Sequence, residues 1–384
     1  MTLPTAFVRV AIAASVTLTL AAITPTPARA CGWDYETYHA EAKSMPCVFD
    51  ALLGYWPKHT DAYHERRIEA FDLALAWMPD WTDGLDAEGI SYLKLGRLPD
   101  ADAVMKRRLE VAPEAYPSHA NLGTLYTFTG AYDDALRHID RAMAIEPEAH
   151  FGREKYHRAL VVFLQRAKAD PEVPKTETFV GVKPTMAQRI RGSRGLYARL
   201  GLEDDAIDAL VAMLTVYGAD ELAEVYFALG ELLAVRGHKR LAYTAYRRVK
   251  ELGHPRRATA KRSMGRLHTA LRAQFYKGSA TGGFRRSSHG PREDIYKGIG
   301  KKYAHERGGA KQFQRDYARW EEAKIADGLA VWTEAGLDEI YAHMHAVRRR
   351  CKAPRVIDDP LAPIAGRDDA PAETDKPADS GDTP

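Results

Sequence analysis

Through the middle of this chain, apolar positions recur at a helical period, and each helical stretch is closed by a glycine or a proline. Ile68, Phe71, Leu75 and Met78 mark one face, Leu85, Gly89 and Tyr92 the next, and Ala101, Met105 and Arg108 the one after. Spacings of three and four place such residues on one side of a helix. Gly96 stands where a left-handed residue ends a helix. Pro113, lacking a backbone N–H, stops the following one. The scheme then repeats with Leu122, Gly123, Tyr126, Gly130, Ala135, Ile139, Ala142 and Pro147. Gly89 pairs with Gly123, Tyr92 with Tyr126, Gly96 with Gly130, Ala101 with Ala135 and Pro113 with Pro147, each 34 residues apart.

A repeat of this length is that of helical hairpins that stack side by side. Within each hairpin the glycine lets the second helix approach closely, and the tyrosine fills the space beside it. Pro79 lies one period before Pro113 and extends the pattern upstream, with a weak first helix near Cys47–Pro57. Downstream, Tyr226, Leu229, Gly230, Leu233, Gly237, Ala242 and Tyr246 form another clear unit, preceded by a degenerate one at Tyr197, Gly201, Ala206 and Leu210. Phe151–Ala169 reads as one long helix and Asp170–Pro184 as a loop. About five units in two blocks then cover roughly residues 48–255, above the ~3 repeats that such arrays need for a continuous core.

These residues resemble the tetratricopeptide repeat (TPR) family, with Leu85 and His119 where the family carries its leading Trp. The resemblance implies an all-α fold, a TPR-type right-handed superhelix of helical hairpins with extra C-terminal helices, binding partners on its concave face. The best repeats are 82–115, 116–149 and 223–256, within an array spanning 31–255. Some TPR grooves hold a peptide carboxylate with Lys, Asn and Arg at fixed first-helix positions. Here Asp86 and Ile90 stand at the first of these, Asn121 matches, and Phe151 and Lys155 take the last. Asp86 repels a carboxylate, so the expected groove, lined by Asp83, Asp86, Ile90, Leu93, Asn121, Thr124, Thr127 and Phe128, suits an amphipathic or extended segment with basic positions. The segment His150–Tyr156 opens the next helix; Arg153 and Lys155 are candidates to bind a partner carboxylate, with Glu154 orienting one of them. The bland alternative packs Phe151 and Tyr156 on the preceding repeat and leaves the charges in water. This segment and the start at Cys31 also resemble a group of uncharacterised exported bacterial TPR proteins.

The ends change the compartment rather than the fold. Arg9, an apolar run from Val10 to Ile23, and Ala28-Arg29-Ala30 read as a cleaved export signal over 1–30. The expected product is periplasmic or secreted, beginning at Cys31, and the residues before Cys31 argue against a lipoprotein signal. In an oxidising compartment Cys31–Cys47 is the natural disulfide candidate, with a buried Cys47 thiol or a Cys31–Cys351 bridge as alternatives. Residues 351–384, acidic and rich in Pro and Ala, are expected to be disordered.

Net charge is only +3, yet Arg236–Lys311 holds 21 Lys/Arg against four Asp/Glu. That segment is either a solvated surface or a site for an anionic polymer, lipid headgroups or an acidic protein. Export argues against nucleic acid as the partner. Residues 256–350 read as a basic helical cap closing the last repeat. Fourteen histidines yield no metal motif: His343 and His345 fall on different helix faces, and His305-Glu306 lacks the second His of a zinc-protease helix. No nucleophile elbow or phosphate loop occurs. The reading is therefore a binding protein without catalytic residues, metal or cofactor.

Overall fold

The computed structural model describes residue 34 and residues 46–148, 152–280 and 298–350, with 273–280 and 345–350 as backbone. The expected export signal, Cys31, Cys351 and the acidic tail lie outside the described residues. The fold is all-α, a helical repeat. Its elements are α1 (Val48–Leu53), α2 (Asp61–Leu75), α3 (Thr82–Lys94), α4 (Leu98–Val111), α5 (Tyr116–Thr129), α6 (Tyr132–Ile145), α7 (Glu154–Ala169) and α8 (Val173–Thr176). They continue with α9 (Met186–Arg191), α10 (Arg194–Arg199), α11 (Ala206–Thr215), α12 (Ala223–Arg236), α13 (Lys239–Glu251), α14 (Arg257–Ala280), α15 (Ile299–Ala326) and α16 (Glu334–Arg350).

Three hairpins, α3–α4, α5–α6 and α12–α13, share one contact geometry. In each, a mid-helix glycine faces a residue sixteen positions later. A Cβ on Gly89 would lie 3.2 Å from Met105 Cγ, on Gly123 2.7 Å from Ile139 Cγ1, and on Gly230 2.9 Å from the Tyr246 ring. Only a residue without a side chain lets the second helix come this near. Ala101, Ala135 and Ala242, twelve positions after the same glycines, are fully buried at the crossings. Gly130 and Gly237 then end their helices at φ 73° and 103°, the left-handed region that favours glycine. Thr60 caps α2, and Thr185 with Gln188 forms a capping box on α9.

The hairpins stack in chain order from α2 to α7, each helix against the next. The second block is built around α12, which packs against α9, α10, α11 and α13. A helix enclosed in this way must be apolar on most of its faces, with any buried acid paired. Val225, Tyr226, Phe227, Ala228, Leu229, Leu232, Leu233, Ala234 and Val235 are accordingly all buried.

The termini of the array depart from the sequence expectation. The weak leading helix near Cys47–Pro57 is α1, which packs on α11, α13 and α15. The C-terminal helices do not close the last repeat as a pair. α14 lies along α13, while α15 touches α13 near Tyr303 and then packs on α1 and α2. The reason is the stripe Tyr303, Ala310, Phe313 and Tyr317, which finds Leu53, Tyr55 and Tyr63 at the other end of the chain. Polar bonds reinforce the clasp. Buried Glu321 accepts from Thr60 N at 2.6 Å and Tyr317 OH at 2.8 Å, and pairs with His59 Nδ1 at 2.5 Å. Burial alone would raise the Glu321 carboxyl, but His59 and these donors hold it below its usual range. Arg307 donates to Leu53 O at 2.7 Å and Gln314 to Gly54 O at 3.0 Å.

Candidate functional site

The expected groove residues lie on the first helices of the front hairpins, and the structure buries most of them. Asp86, Ile90, Asn121, Thr124 and Phe128 all have little or no exposure. Ile90 and Phe128 belong to an apolar cluster with Ile68, Leu93, Leu122 and Leu125. Asp86 and Asn121 bind each other: Asn121 Nδ2 donates to Asp86 Oδ1 at 2.9 Å. Arg108 Nε donates to the other carboxylate oxygen at 3.0 Å and Arg108 NH1 to Ser118 Oγ at 3.0 Å. Ser118 passes the chain on to Ala112 O at 2.7 Å. The four side chains tie the first hairpin to the second. Burial pushes the Asp86 carboxyl up to about 7, opposed by Arg108 and Asn121.

The second part of the face is at α7. Glu154 accepts from Tyr116 OH at 2.9 Å and pairs with His157 Nδ1 at 2.8 Å. His157 Nε2 lies 3.5 Å from Thr127 Oγ1. Glu154 is thus a buried acceptor joining α5 to α7. Lys155 points elsewhere, pairing with Glu203 and, at 3.4 Å, with Asp205, which also accepts from Tyr156 OH at 2.7 Å. The Arg153 charge acts on Asp208, countering the burial that raises its carboxyl. Glu154 and Lys155 therefore diverge, and Glu154 orients neither Lys155 nor a partner carboxylate beside it.

Arg67, on α2, is a further buried charge, with its guanidinium 5.6 Å from the rings of both Tyr63 and Phe71. The signal was present: Tyr63, Arg67 and Phe71 are spaced by four, so one helix face carries all three. Arg67 NH2 donates to Asp34 Oδ2 at 2.9 Å, and Asp34 is 1% exposed. Asp34 also adds to the raised carboxyl of Asp86, which places the two acids in electrostatic reach of each other.

Other titratable groups are accounted for locally. His119 and His138 meet at Nδ1···Nδ1 3.0 Å, with His119 Nε2 2.9 Å from Pro113 O. Burial, with the nearby His119 and Arg137, pushes His138 down to about 4. His343 stacks on Trp320 at 3.7 Å. Among the described residues no group of three or more His, Cys, Asp or Glu converges as metal ligands. Cys47 is a half-buried free thiol pushed up to about 12, chiefly by burial. Its expected partner, Cys31, lies outside the described residues. The basic segment is more sharply organised than its composition suggested. Arg257, Lys261, Arg262, Arg266 and Arg272 are exposed on α14, whose sequence contains no acidic residue.

No family model matches the chain. It is similar to the human protein O-mannosyl-transferase TMTC1, 28% identical over 179 residues, which is 46% of this chain and 20% of that protein. The chain thus spans about a fifth of the relative's length. Among the described residues no helix is long and apolar enough to cross a membrane.

Proposed function

We propose that this chain is an exported TPR-type scaffold, a right-handed superhelix that binds a protein or peptide segment on the concave face of residues 81–160. The observation that carries the reading is a set of buried polar groups that joins successive hairpins of the front block. Asp86 and Arg108 bind Asn121 and Ser118 across α3, α4 and α5, and Glu154 on α7 accepts from Tyr116 on α5, whereas the buried acids of α12, Glu224 and Glu231, pair with His254 and Arg189 around that single helix. Polar groups kept out of water are retained where they position something, and each here needs a partner to be tolerated. The recurring glycine contacts support the TPR-type hairpin, and the export signal read at 1–30 supports the compartment. No catalytic role is proposed for any residue.

The test is a pull-down from envelope extract with wild type, Thr124→Arg and Lys155→Glu, each first checked by thermal melting. Loss of the same partners from Thr124→Arg, with Lys155→Glu unchanged, supports the concave face. Identical partner sets in all three overturn it.

A second reading has its own observation. The exposed cationic face of α14 suits an anionic polymer or lipid surface. Salt-sensitive binding to anionic vesicles, abolished by Lys261→Glu/Arg262→Glu/Arg266→Glu, supports it; binding unaffected by salt and by these changes excludes it.

A further inference from the structure

Among the described residues six large apolar side chains are exposed, and five of them gather about one helix, α2. Leu73, Trp77, Met78 and Trp81 lie on its last turn and the turn into α3, with Trp77 88% and Leu73 72% exposed. Trp332, between α15 and α16, reaches the same helix at Arg66, whose guanidinium lies 5.1 Å from its ring and donates to Glu69 at 2.7 Å. Single apolar residues on a surface need no explanation, but a contiguous patch marks a place that something covers. The rim is acidic: Asp72, Asp80 and Asp83 are exposed around it. The neighbouring cation, Arg107, is taken up by Pro79 O at 2.5 Å. The occupant must therefore bring cations that tolerate a tryptophan face. Arg66, between Trp332 and Glu69, shows that arginine does both.

The chain itself carries such a surface on α14. Ala258, Arg262, Gly265, Thr269 and Arg272 follow one another at helical spacing, so they share one side of the helix, and all are exposed. Gly89, Gly123 and Gly230 are each covered by a second helix, whereas nothing lies within 4 Å of a Cβ built on Gly265. A glycine inside a helix weakens it, and in this fold it does so where another element comes close. Gly265 thus leaves a hollow, flanked by Lys261, Arg262 and Arg266, with nothing in it. We propose that copies of this chain join head to tail, the tryptophan-bearing face of α2 on one copy seated on the Gly265 face of α14 on the next. Trp77 and Leu73 fill the hollow, and the flanking cations meet Asp72, Asp80 and Asp83. Each joined pair keeps one face of each kind free, so the contact is heterologous and does not stop at two copies. Its charged rim makes it weaken as salt is added.

Sedimentation velocity on the purified protein, from about 1 μM to about 100 μM, reads the assembly directly. The expected result is a mean mass that climbs past the dimer with concentration and falls back with salt. Gly265→Leu fills the hollow while strengthening its helix, and Trp77→Ser removes a ring that lies in water. Both should melt as the wild type does and associate about tenfold more weakly or less. Each variant spoils only one face, so mixing the two should give a one-to-one dimer and nothing larger. Wild type that stays monomeric throughout, association unchanged in either variant, or a mixture that remains monomeric overturns the proposal. A dimer that persists in Gly265→Leu and is lost in Trp77→Ser means that α2 meets α2, which overturns it as well. Vesicle binding lost in Lys261→Glu/Arg262→Glu/Arg266→Glu, with wild type monomeric, would give α14 to an anionic surface and remove the contact between copies.

Discussion

The front block, α3 to α7, and the rear block, α11 to α13, are made from the same glycine-hinged hairpin and put it to different uses. In the rear block α12 is surrounded on all sides, and its two buried acids each pair with a segment that flanks the block. Glu231 takes bidentate bonds from Arg189 at 2.8–3.0 Å and a bond from Tyr246 OH at 2.9 Å. Glu224 pairs with His254 at 2.7 Å, whose ring stacks on Phe227 at 4.9 Å. In the front block the buried polar residues connect one hairpin to the next, and Asp86 lies within electrostatic reach of Asp34. The difference teaches that a repeat motif fixes how helices cross, while the polar residues decide whether the resulting face is a hub or a receptacle.

The largest effect should come from breaking the hub. Glu231→Ala leaves Arg189 and the Tyr246 hydroxyl buried without their acceptor, and should cost about 3–5 kcal/mol in a denaturant titration. Replacing the pair together, Arg189→Met with Glu231→Leu, should restore most of that loss, as expected for an ion pair in an apolar setting. A double variant as unstable as the single would show that the rear block needs the charges themselves.

The shared hairpin can be ranked by how tightly each glycine is held. Gly123→Ala drives a methyl to 2.7 Å from Ile139 Cγ1, with the Ala135 carbonyl at 3.4 Å. It should cost about 2 kcal/mol, because a β-branched side chain pinned to its own helix gives way poorly. Gly89→Ala meets flexible Met105 at 3.2 Å and Val104 at an ordinary 3.5 Å. There the gain in helix propensity, about 1 kcal/mol, should bring the net change near zero. Equal losses at the two sites would mean that the crossing geometry differs between hairpins.

The smallest effects are opposite pH dependences within the front block. Asp86 has a folded pKa of about 7 against 3.8 for the free group. The folded state therefore binds more protons in that window, and this group's contribution to stability falls as pH rises through it. His138 is shifted the other way, to about 4 from 6.5. The unfolded state there binds more protons, so stability is lost as pH falls from 6.5 toward 4, by about 1 kcal/mol after solvent screening of a half-buried ring. Thermal melts of Asp86→Asn and His138→Gln should each flatten their own limb of the stability–pH curve. A variant that leaves its limb unchanged would remove that residue from the account.

The fold was legible where its determinants are close in sequence. Gly89, Ala101 and Met105 belong to one hairpin, so spacing alone forecast the crossing, and Arg108 was correctly placed against the first helix. Asp86 and Asn121, 35 residues apart and on neighbouring repeats, were read as groove residues, and the structure brings them together. Their mutual bond was missed, because spacing shows which side a residue takes and not how far that side is covered. Glu154 and Lys155 were grouped by adjacency, although neighbours on a helix point about 100° apart. Accordingly Glu154 turns inward to Tyr116 and Lys155 outward to Glu203. The contacts of His59 with Glu321 and of Arg67 with Asp34 have no local signature at all. They depend on topology that brings distant parts of the chain together.

The clasp of α15 on α1 and α2 has a consequence for how the protein comes into being. The hairpins join neighbours in sequence and can form as they are made, on the fast timescale of local helical contacts. His59, Thr60 and Leu53, by contrast, wait for residues 254–262 positions later in the chain. A chain that emerges in order therefore holds its front helices unlocked until most of its length has appeared. That interval sets tightening of the array as the last, slowest step of folding.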